Sequence, residues 1–441
     1  MKKPMNIALV SSLADPGGCT IHEALLSLLA LPHEPYPLEL HELSHYRVKE
    51  RLIYQDFFDR DMDASLLIFL SRHSSVNPVP VLTVHVTGNI TSADFGGKEH
   101  SLAYAAPAWM HAVLKGLSKN APPGYRVAYE VTHHGPSEIS TPSLFAEVGS
   151  TEKEWQDREA ALAVAKSVLS ADPANIIPLI GFGGTHYAAR QTHIALNTRG
   201  AFGHIAHTRD VPLLDAAMID LMKERTGAVA AYIDRKAIPG KDLARLERIL
   251  AERRIRPLTE GDLMHFGDMS WETYLKVLSL ADQIVPGCRV NLHGQCPDGE
   301  PVRIELDQLL LDEAWRCSQN EFLDGLDTLP LVRLSTQKKP VWPSFITIGD
   351  ISGTVLHDLI SLCVNIIRRG EITFVEGDHL TVCRHRFDPG RAQSLGIPPG
   401  PLYGQLMNGC TVRVGGREIT PEMVRTRSEK RIHIPGLEKF L

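Results

Sequence analysis

Short apolar runs alternate with amphipathic segments through the first 235 residues of the chain. Each run is rich in Val, Ile, Leu and Phe and ends at a polar residue or a glycine, which is typical of buried strands. The pattern predicts seven strands, which we assign to one sheet: residues 5–11, 66–70, 81–86, 126–132, 145–148, 176–180 and 229–233.

Amphipathic segments between these strands predict helices over residues 19–29, 106–118 and 152–170. Thr151 and Glu154 stand in capping-box spacing at the start of the third helix. Strands that alternate with helices favour an α/β fold, in which a mixed sheet is layered with helices.

The pattern changes after a helix predicted at 241–253, where the irregular polar stretch 256–266 indicates a domain boundary. Beyond it we predict further elements: helices at 271–281, 307–317 and 354–369, strands at 372–375 and 380–383, and a linker at 330–343. The sequence therefore predicts three regions: a catalytic domain over 1–265, a helical connecting region over 270–330, and a smaller α+β extension over 331–441.

Composition agrees with a folded protein of several domains. A chain of 441 residues exceeds the usual single-core size of roughly 100 to 200 residues. Its 43% hydrophobic and 22% charged residues exclude an intrinsically disordered chain. The apolar run at 5–13 ends before Asp15 and Pro16, which makes it too short for a signal peptide or a membrane span. We expect a cytoplasmic protein that does not enter a membrane.

Charge is distributed unevenly along the chain. Residues 331–441 hold 15 Lys and Arg against 10 Asp and Glu, whereas the whole chain has a net charge of −6. A basic C-terminal region is suited to hold a polyanion while an acidic N-terminal region carries out chemistry. An ordinary solvated surface would explain the charges equally well.

Ten of the twenty histidines lie between His73 and His207, mostly where a predicted strand ends. Loops at strand ends build the ligand crevice of open α/β sheets, so we expect these side chains to share a cleft. Neutral imidazole is a common zinc ligand, and carboxylates such as Glu130 or Glu138 can complete the metal shell. The residue types therefore suffice for a metal site.

Two of these positions have a second interpretation. His133 and His134 would point to opposite faces of a regular strand, so we expect one ligand from the pair unless Gly135 and Pro136 bend the chain. His85 lies inside a predicted strand and is equally compatible with a buried structural histidine.

Glycines and an asparagine follow other strands. Gly183 and Gly184 either free backbone N–H groups for a substrate oxygen or form a conformational turn. Asn89 either contacts a substrate or closes a tight turn. A dinucleotide fingerprint is excluded, because His186 occupies the place of its third glycine. Without a Gly-x-Ser-x-Gly elbow or a P-loop, a hydrolase or lyase that activates water remains.

Five segments, in order and spacing, resemble the archaeal and plant type of D-aminoacyl-tRNA deacylase. They are SRHS (71–74), TVHVTGN (83–89), EVTHHGPSE (130–138), GGTHYA (183–188) and AFGH (201–204). The resemblance covers about residues 5–265. It implies a monomer whose core is similar to phosphorylases and peptidyl-tRNA hydrolases, and which binds two zinc ions. The implied reaction is hydrolysis of the ester bond of D-aminoacyl-tRNA, such as D-tyrosyl-tRNA, releasing free D-amino acid and tRNA.

The resemblance also implies site residues. The metal candidates are His73, His85, His133, His186 and His204. The catalytic candidates are Glu130, His133, His134, Glu138 and His186, and the substrate-binding candidates in this region are Asn89, Gly183 and Gly184. Two rival functions remain open at this point: a metal-free peptidyl-tRNA hydrolase-like enzyme, and a tRNA-binding protein without turnover.

The C-terminal extension has a resemblance of its own. Residues 386–388 and 395–421 are similar to a short segment of ribonuclease Z, an endonuclease that processes tRNA 3′ ends, but the His-x-His-x-Asp-His metal motif of that enzyme is absent from this sequence. We therefore expect a tRNA-binding surface rather than nuclease chemistry, and a structural cap is equally compatible. The basic residues expected to meet phosphates are Arg413, Arg417, Arg425, Arg427, Lys430 and Arg431.

Overall fold

The computed structural model describes residues 4–32 and 34–441. The chain divides into two compact units, Met1–Met264 (unit 1) and His265–Leu441 (unit 2). Each unit has its own sheets and its own buried side chains.

Unit 1 contains two main sheets. Its strands are β1 (Asn6–Ser12), β2 (Glu42–Val48), β3 (Leu66–Arg72), β4 (Val81–His85), β5 (Gly88–Asn89), β6 (Ser101–Leu102), β7 (Arg126–Tyr129), β8 (Ser143–Gly149), β9 (Ile177–Phe182), β10 (Gly200–Ala206), β11 (Ala230–Ile233) and β12 (Pro257–Leu258). The first sheet is mixed, with the order β2-β1-β3-β8-β4-β7, and only its β8–β4 pair is antiparallel. The second is parallel, with the order β10-β9-β11-β12. Strands β5 and β6 form a small antiparallel pair.

The α/β fold with a mixed sheet is confirmed, but the prediction of a single sheet is wrong. The predicted strands 176–180 and 229–233 correspond to β9 and β11, which belong to the parallel sheet. All seven residues of β8 are buried, as expected for a strand covered on both faces. Such runs reveal strands, whereas the partner of each strand depends on contacts far apart in the chain.

The helices of unit 1 surround these sheets. They are α1 (Pro16–Ala30), α2 (Pro107–Asn120), α3 (Glu152–Trp155), α4 (Arg158–Leu169), α5 (Ala189–Asn197), α6 (Ala216–Thr226), α7 (Gly240–Glu252) and α8 (Glu260–His265), with 3-10 turns at Pro37–Leu40, Leu52–Tyr54 and Val211–Leu213. The capping box of Thr151 and Glu154 forms as predicted. The helix predicted over 152–170 is nevertheless two helices, because Asp157 accepts hydrogen bonds from the backbone N–H groups of Glu159 and Ala160 and so caps a new helix.

Unit 2 has an antiparallel sheet with the order β13-β15-β16-β14, a three-stranded antiparallel sheet with the order β17-β18-β21, and the hairpin β19-β20. The strands are β13 (Arg289–His293), β14 (Pro301–Glu305), β15 (Leu331–Ser335), β16 (Ser344–Ile348), β17 (Ile372–Glu376), β18 (His379–Phe387), β19 (Val412–Val414), β20 (Arg417–Ile419) and β21 (Arg425–His433). The helices are α9 (Trp271–Ile284), α10 (Gln308–Cys317), α11 (Gln319–Leu326), α12 (Ser352–Gly370), α13 (Pro389–Ser394) and α14 (Pro401–Met407), with 3-10 turns at Gly349–Ile351, Pro421–Val424 and Leu437–Phe440.

Two features of unit 2 differ from the sequence prediction. The linker predicted at 330–343 contains strand β15, in which Leu331, Val332 and Leu334 are buried. The first sheet of unit 2 therefore takes strands from both sides of residue 330, where we expected separate regions over 270–330 and 331–441. By length and composition the segment Gly349–Gly370 could cross a membrane, and in this structure its helix α12 buries Leu359 and Val364 in the core of unit 2.

Candidate active site

Histidine and glutamate side chains meet beside β8 in unit 1. His73 follows β3, His85 ends β4, Glu130 follows β7, Glu147 projects from within β8, and His186 follows β9. Because β4 runs antiparallel to β8, His85 pairs with Phe145 and reaches the group from the face of the sheet rather than from a shared edge. We call His73, His85, Glu130, His133, His134, Glu147 and His186 the His–Glu cluster.

Glu130 lies at the centre of the His–Glu cluster, and its side chain is fully buried. Its Oε1 is 2.9 Å from His73 Nδ1, and its Oε2 is 3.0 Å from His186 Nε2 and 3.4 Å from His133 Nε2. Glu147 is also buried, and its two oxygens lie 3.7 Å from His73 Nδ1 and 3.7 Å from His85 Nε2. Each carboxylate therefore faces at least two imidazoles.

His85, His133 and His134 form a triad within the cluster. The ring centroid of His85 lies 4.9 Å from that of His133 and 5.0 Å from that of His134. His134 adopts the left-handed conformation, with a φ of 48°. This backbone turn lets the rings of His133 and His134 both face His85, although in a regular strand the two side chains would point to opposite faces. The chain bends here, so both rings reach the site, which is the alternative that the sequence left open beside the expectation of a single ligand.

The triad rings are oriented through their outer nitrogens. The Nδ1 atoms of His85, His133 and His134 lie 3.2, 2.8 and 2.6 Å from the main-chain carbonyl oxygens of Val86, Val131 and Gly135. Donation from Nδ1–H to a carbonyl fixes the tautomer that leaves a lone pair on Nε2. Metal-binding histidines are held in this way.

Several ligand atoms of the cluster lack a hydrogen-bond partner among the described residues. They are both oxygens of Glu130 and Nε2 of His85, all of them buried. His73 Nδ1 and His186 Nε2 lie 2.9 and 3.0 Å from the Glu130 oxygens, so their contacts with this carboxylate are charge pairs. Leaving buried polar atoms unpaired costs free energy, so their convergence indicates a place for an ion.

Two groups of ligand atoms without a common member are close enough to hold metal ions. His85, His133 and His134 form one, and His73, Glu130 and His186 form the other, with the ligand atoms of each within 4.8 Å of one another. Imidazole nitrogen and carboxylate oxygen are the donors of catalytic zinc sites. The residues present therefore fit a divalent metal of this kind.

Burial keeps two imidazoles of the triad neutral. Burial and then the neighbouring His85 lower the pKa of His134 to about 3. The pKa of His133 is held well below its ordinary value by burial and by the neighbouring His134 and His85. A neutral imidazole is the form that binds a metal ion.

Charge pairing prevails at the carboxylate end of the cluster. Burial lowers the pKa of His73, but the carboxylates of Glu130 and Glu147 outweigh burial and raise this pKa to about 11. Burial likewise raises the pKa of Glu130, yet His73 and His186 together hold it well below its ordinary value. Glu130 is therefore an anion in this arrangement. A metal ion bound at this end would take the place of the proton on His73, because only the neutral ring is a ligand.

A cavity of about 620 Å³ opens onto the cluster. His73, His133, His134, Glu147 and His186 line its wall. The His186 side chain is 38% exposed, whereas those of His133 and His73 are 24% and 3% exposed. A substrate in the cavity would therefore meet His186 directly.

Glu138 and His204 lie outside the cluster. The Glu138 carboxylate accepts a hydrogen bond from Ser101 Oγ. His204 is fully buried, with Nε2 2.9 Å from the Ala103 carbonyl oxygen and Nδ1 3.1 Å from Thr132 Oγ1. Because both of its ring nitrogens are already engaged, the sequence-based assignment of His204 as a metal ligand is wrong. Glu138, bound to Ser101, is neither among the possible metal ligands nor at the cavity wall, so its sequence-based assignment as a catalytic residue is not supported.

The polar groups of Gly183, Gly184 and Asn89 form hydrogen bonds within the protein. The backbone N–H of Gly183 donates to the Ala206 carbonyl, and that of Gly184 donates to Thr208 Oγ1. Of the two interpretations, the structure therefore supports the conformational turn, since neither N–H is left for a substrate. Asn89 lines the cavity, but its Nδ2 donates to the carbonyls of Gly96 and Lys98.

Of the basic candidates of unit 2, Arg413 lies on β19 and Arg417 on β20. The other four lie on β21, and three of those four form ion pairs. Lys430 Nζ is 2.9 Å from Glu313 Oε1, with Glu313 buried. Arg427 and Arg431 pair with the exposed Glu429 and Glu376. Lys430 is therefore a structural residue. The exposed ion pairs of Arg427 and Arg431 are weak, so a phosphate could replace the glutamate in each of them.

Two residues at the site were missed from the sequence. Glu147 is a carboxylate within the apolar run of β8, and a charged residue in a fully buried strand is itself an indicator of a site. Tyr187 places its hydroxyl 3.1 Å from His73 Nε2. Nothing in the local sequence pattern indicated that contact.

One motif of the sequence carries no metal site. His41 to His45 reads His-Glu-Leu-Ser-His, the letters of a zinc protease motif. That motif requires a helix, whereas Glu42–Val48 is strand β2. Four residues along a strand span about 13 Å, too far for two ligands of one ion.

The fold and the cluster define a class of protein: an α/β protein with a cavity walled by histidine and glutamate ligands. The sequence model of D-aminoacyl-tRNA deacylase matches residues 60–258. A D-aminoacyl-tRNA deacylase of Methanoculleus marisnigri is 48% identical over 99% of this chain and 100% of its own length. One of Methanoregula boonei is 47% identical, with the same coverage. The chain belongs to the D-aminoacyl-tRNA deacylase family.

One solved structure is similar to part of this chain. The crystal structure of a conserved protein of unknown function, AF0625, is 34% identical, with a TM-score of 0.54. It matches 60% of this chain and 98% of its own length.

Proposed function

We propose that this protein hydrolyses the ester bond of D-aminoacyl-tRNA, releasing free D-amino acid and tRNA. The observation that carries the proposal is the buried His–Glu cluster at the wall of an open cavity, in a chain whose relatives bear the name of this activity. Ester hydrolysis needs a water molecule made nucleophilic and a carbonyl made electrophilic. The donor set of the cluster is suited to both.

The proposal includes zinc as the metal. His85, His133 and His134 would hold one ion, and His73, Glu130 and His186 would hold a second. Bound zinc supplies a water whose pKa falls toward roughly 7 and polarises the ester carbonyl. Two ligand groups without a common member agree with the two ions that the family resemblance implies.

The chain's own residues hold and orient these groups. The main-chain carbonyls beside the triad fix each ring so that Nε2 faces inward. Glu147 faces the inner nitrogens of His73 and His85, Nδ1 and Nε2, at 3.7 Å each, and with His85 and Glu130 it forms a third possible ligand group that overlaps the other two. Tyr187 holds His73 from the other side, through Nε2. Rigid support of this kind keeps the reacting groups at a fixed distance.

Unit 2 is proposed to contact the body of the tRNA. Arg427 and Arg431 alternate along β21 and are both exposed, so they lie on one face of the β17-β18-β21 sheet. Exposed arginines on a sheet face are suited to bind phosphates. We further propose that the protein is a cytoplasmic monomer and that unit 1 binds the aminoacylated 3′ end of the tRNA.

The experiment is a deacylation assay with D-tyrosyl-tRNA and L-tyrosyl-tRNA as matched substrates. We expect hydrolysis of the D-substrate, and a loss of at least about 100-fold on replacing His133 by Ala, since a ligand is removed. His193→Ala is the control, because the His193 side chain is 54% exposed and pairs with Glu260. Equal rates on the two substrates, or an unaffected His133→Ala variant, would contradict the proposal.

A further inference from the structure

An exposed aromatic ring stands at the cavity that opens onto the His–Glu cluster. Phe95 lines this cavity and is 64% exposed. Large apolar side chains in contact with water are unremarkable when scattered, but one on the wall of a ligand cavity indicates a contact with the ligand. Tyr54, which is 56% exposed, lies close to the same loop, since a Cβ on Gly96 would be 3.0 Å from its Cδ1.

The loop that carries Phe95 is tightly fastened. The Phe95 carbonyl accepts a hydrogen bond of 3.1 Å from the Gly135 N–H, next to His134 of the cluster. The Asn89 side chain donates to the Gly96 and Lys98 carbonyls at 2.9 and 3.2 Å. The loop is therefore joined both to the triad segment and to the cavity wall.

Two glycines let the loop pack this closely. Gly96 and Gly97 have φ values of 77° and 76°, in the left-handed region that favours glycine. A Cβ at Gly96 would lie 2.2 Å from the Ile53 carbonyl oxygen, and one at Gly97 would lie 2.7 Å from Asn89 Nδ2. The backbone of the loop is thus held against the protein while the Phe95 ring stays in solvent.

Cationic side chains accompany the ring. Arg51 is exposed and lines the cavity. Arg209 also lines it, with a 76% exposed side chain whose Nε is 3.7 Å from Asp210 Oδ1. Asp94, next to Phe95, accepts a hydrogen bond from Ser92 Oγ. An exposed aromatic ring and arginines around one cavity are suited to bind single-stranded nucleic acid. The base stacks on the ring, and the arginines attract the phosphates.

We propose that Phe95, Arg51 and Arg209 form the binding site for the 3′-terminal nucleotide of the tRNA, with its base stacked on Phe95 and the preceding phosphates at the two arginines. The inference rests on the proposed function, because an ester at the 3′ end must enter the cavity together with the nucleotide that carries it. A ring on a fastened loop loses little conformational freedom when a base stacks on it. A base held there would keep the ester of the same nucleotide in the cavity, close to the cluster.

The test measures binding without turnover. The probes are two fluorescent single-stranded RNA oligonucleotides, one ending in CCA and one in which the terminal nucleotide is abasic. We expect wild-type protein to bind the CCA probe about 10-fold more tightly than the abasic probe, in line with stacking on one base. Phe95→Ala should remove this difference, and Phe95→Trp should restore it. Leu40→Ala, at a side chain that is 70% exposed and absent from the cavity wall, should leave the difference unchanged.

The arginines are tested by salt dependence. Arg51→Gln should lower the slope of log binding constant against log salt by about one phosphate contact on both probes. Arg248→Gln, at a 70% exposed side chain on α7, is the matched control. A Phe95→Ala variant that still prefers the CCA probe, or a wild type without that preference, would overturn the inference.

A kinetic comparison separates this inference from the proposed function. Phe95→Ala should raise KM for D-tyrosyl-tRNA about 10-fold and leave hydrolysis of D-tyrosine ethyl ester, which carries no nucleotide, unchanged. Equal losses on both substrates would refute the stacking site while leaving the hydrolytic function intact. Wild-type protein that binds the CCA probe but cleaves neither ester would refute the function and leave the binding site standing.

Discussion

At the scale of single residues, His133 and His134 show how one backbone angle decides a site. Adjacent side chains in a strand face opposite ways, so the sequence alone indicated one ligand from this pair. The left-handed φ of His134 changes the direction of the chain between them. Both rings then lie within 5.0 Å of His85, measured between ring centroids. Residue type and position were readable from the sequence, but this dihedral angle was not.

The two glutamates give a matched comparison. Glu147 is buried against His73 and His85, whereas Glu138 binds Ser101 outside the cluster. Glu147→Gln should reduce hydrolysis of D-tyrosyl-tRNA and metal affinity by about 10- to 100-fold, because the carboxylate that faces the inner nitrogens of His73 and His85 loses its charge. Glu138→Gln should change either quantity by less than about 3-fold, by the same reasoning. Rates and bound metal measured on both variants check this, and a reversed order would contradict the assignment.

His204 is expected to affect acid stability rather than metal content. Burial lowers its pKa from 6.5 to about 4 in the folded protein. Between pH 6.5 and pH 4 the unfolded chain therefore binds a proton that the folded protein does not, so stability falls as the pH falls through this range. The largest effect is about 3 kcal/mol.

The variant His204→Gln isolates this contribution. Its free energy of unfolding, compared with that of the wild type from pH 4 to pH 7, should show a smaller loss toward acid. Bound metal should remain at the wild-type level, because His204 is no ligand. A variant that loses metal, or whose acid loss equals that of the wild type, would rule out this role for His204.

At the scale of elements, the apolar pattern predicted seven of the twelve strands described in unit 1, but it missed the buried strand β10 and did not show how the strands pair. The runs at 66–70 and 145–148 correspond to β3 and β8, which are buried on both faces. β2 was missed because its residues are mostly exposed and polar. The division between the mixed and the parallel sheet was also missed, since pairing joins residues far apart in the chain, such as Leu67 of β3 and Ser143 of β8.

Unit 2 offers a test of one element contact. Glu313 on α10 is buried and pairs with Arg384 of β18, Lys430 of β21 and Arg316. Glu313→Gln should destabilise the β18–β21 region by about 3 kcal/mol, because Arg384 would be left buried without its full counter-charge. Hydrogen exchange of the β18 and β21 amides in the full-length protein measures this loss.

The control is Glu429→Gln, which removes an exposed pair with Arg427. Such a pair adds little to stability, so exchange in β18 and β21 should stay at the wild-type rate. Equal protection in the two variants would show that the Glu313 pairs do not fasten the sheet to α10.

At the scale of the whole molecule, the two units are expected to divide the work between chemistry and tRNA affinity. Replacing both Arg427 and Arg431 by Gln should weaken binding of full-length tRNA and reduce its salt dependence by about two phosphate contacts. Hydrolysis of D-tyrosyl-adenosine should not change, because that substrate is too short to need unit 2. Arg369→Gln, at a 69% exposed side chain in the same unit, is the control. An equal loss on both substrates would point to a structural role.

The central claim is that the His–Glu cluster hydrolyses D-aminoacyl-tRNA with bound zinc. Protein stripped with a chelator and then titrated with zinc provides the most direct measurement, with bound zinc and the rate of D-tyrosyl-tRNA cleavage recorded on the same samples. We predict that the stripped protein is inactive and that activity returns as zinc binds, reaching its maximum at about two ions per chain. Full activity in stripped protein that holds almost no metal would contradict the claim.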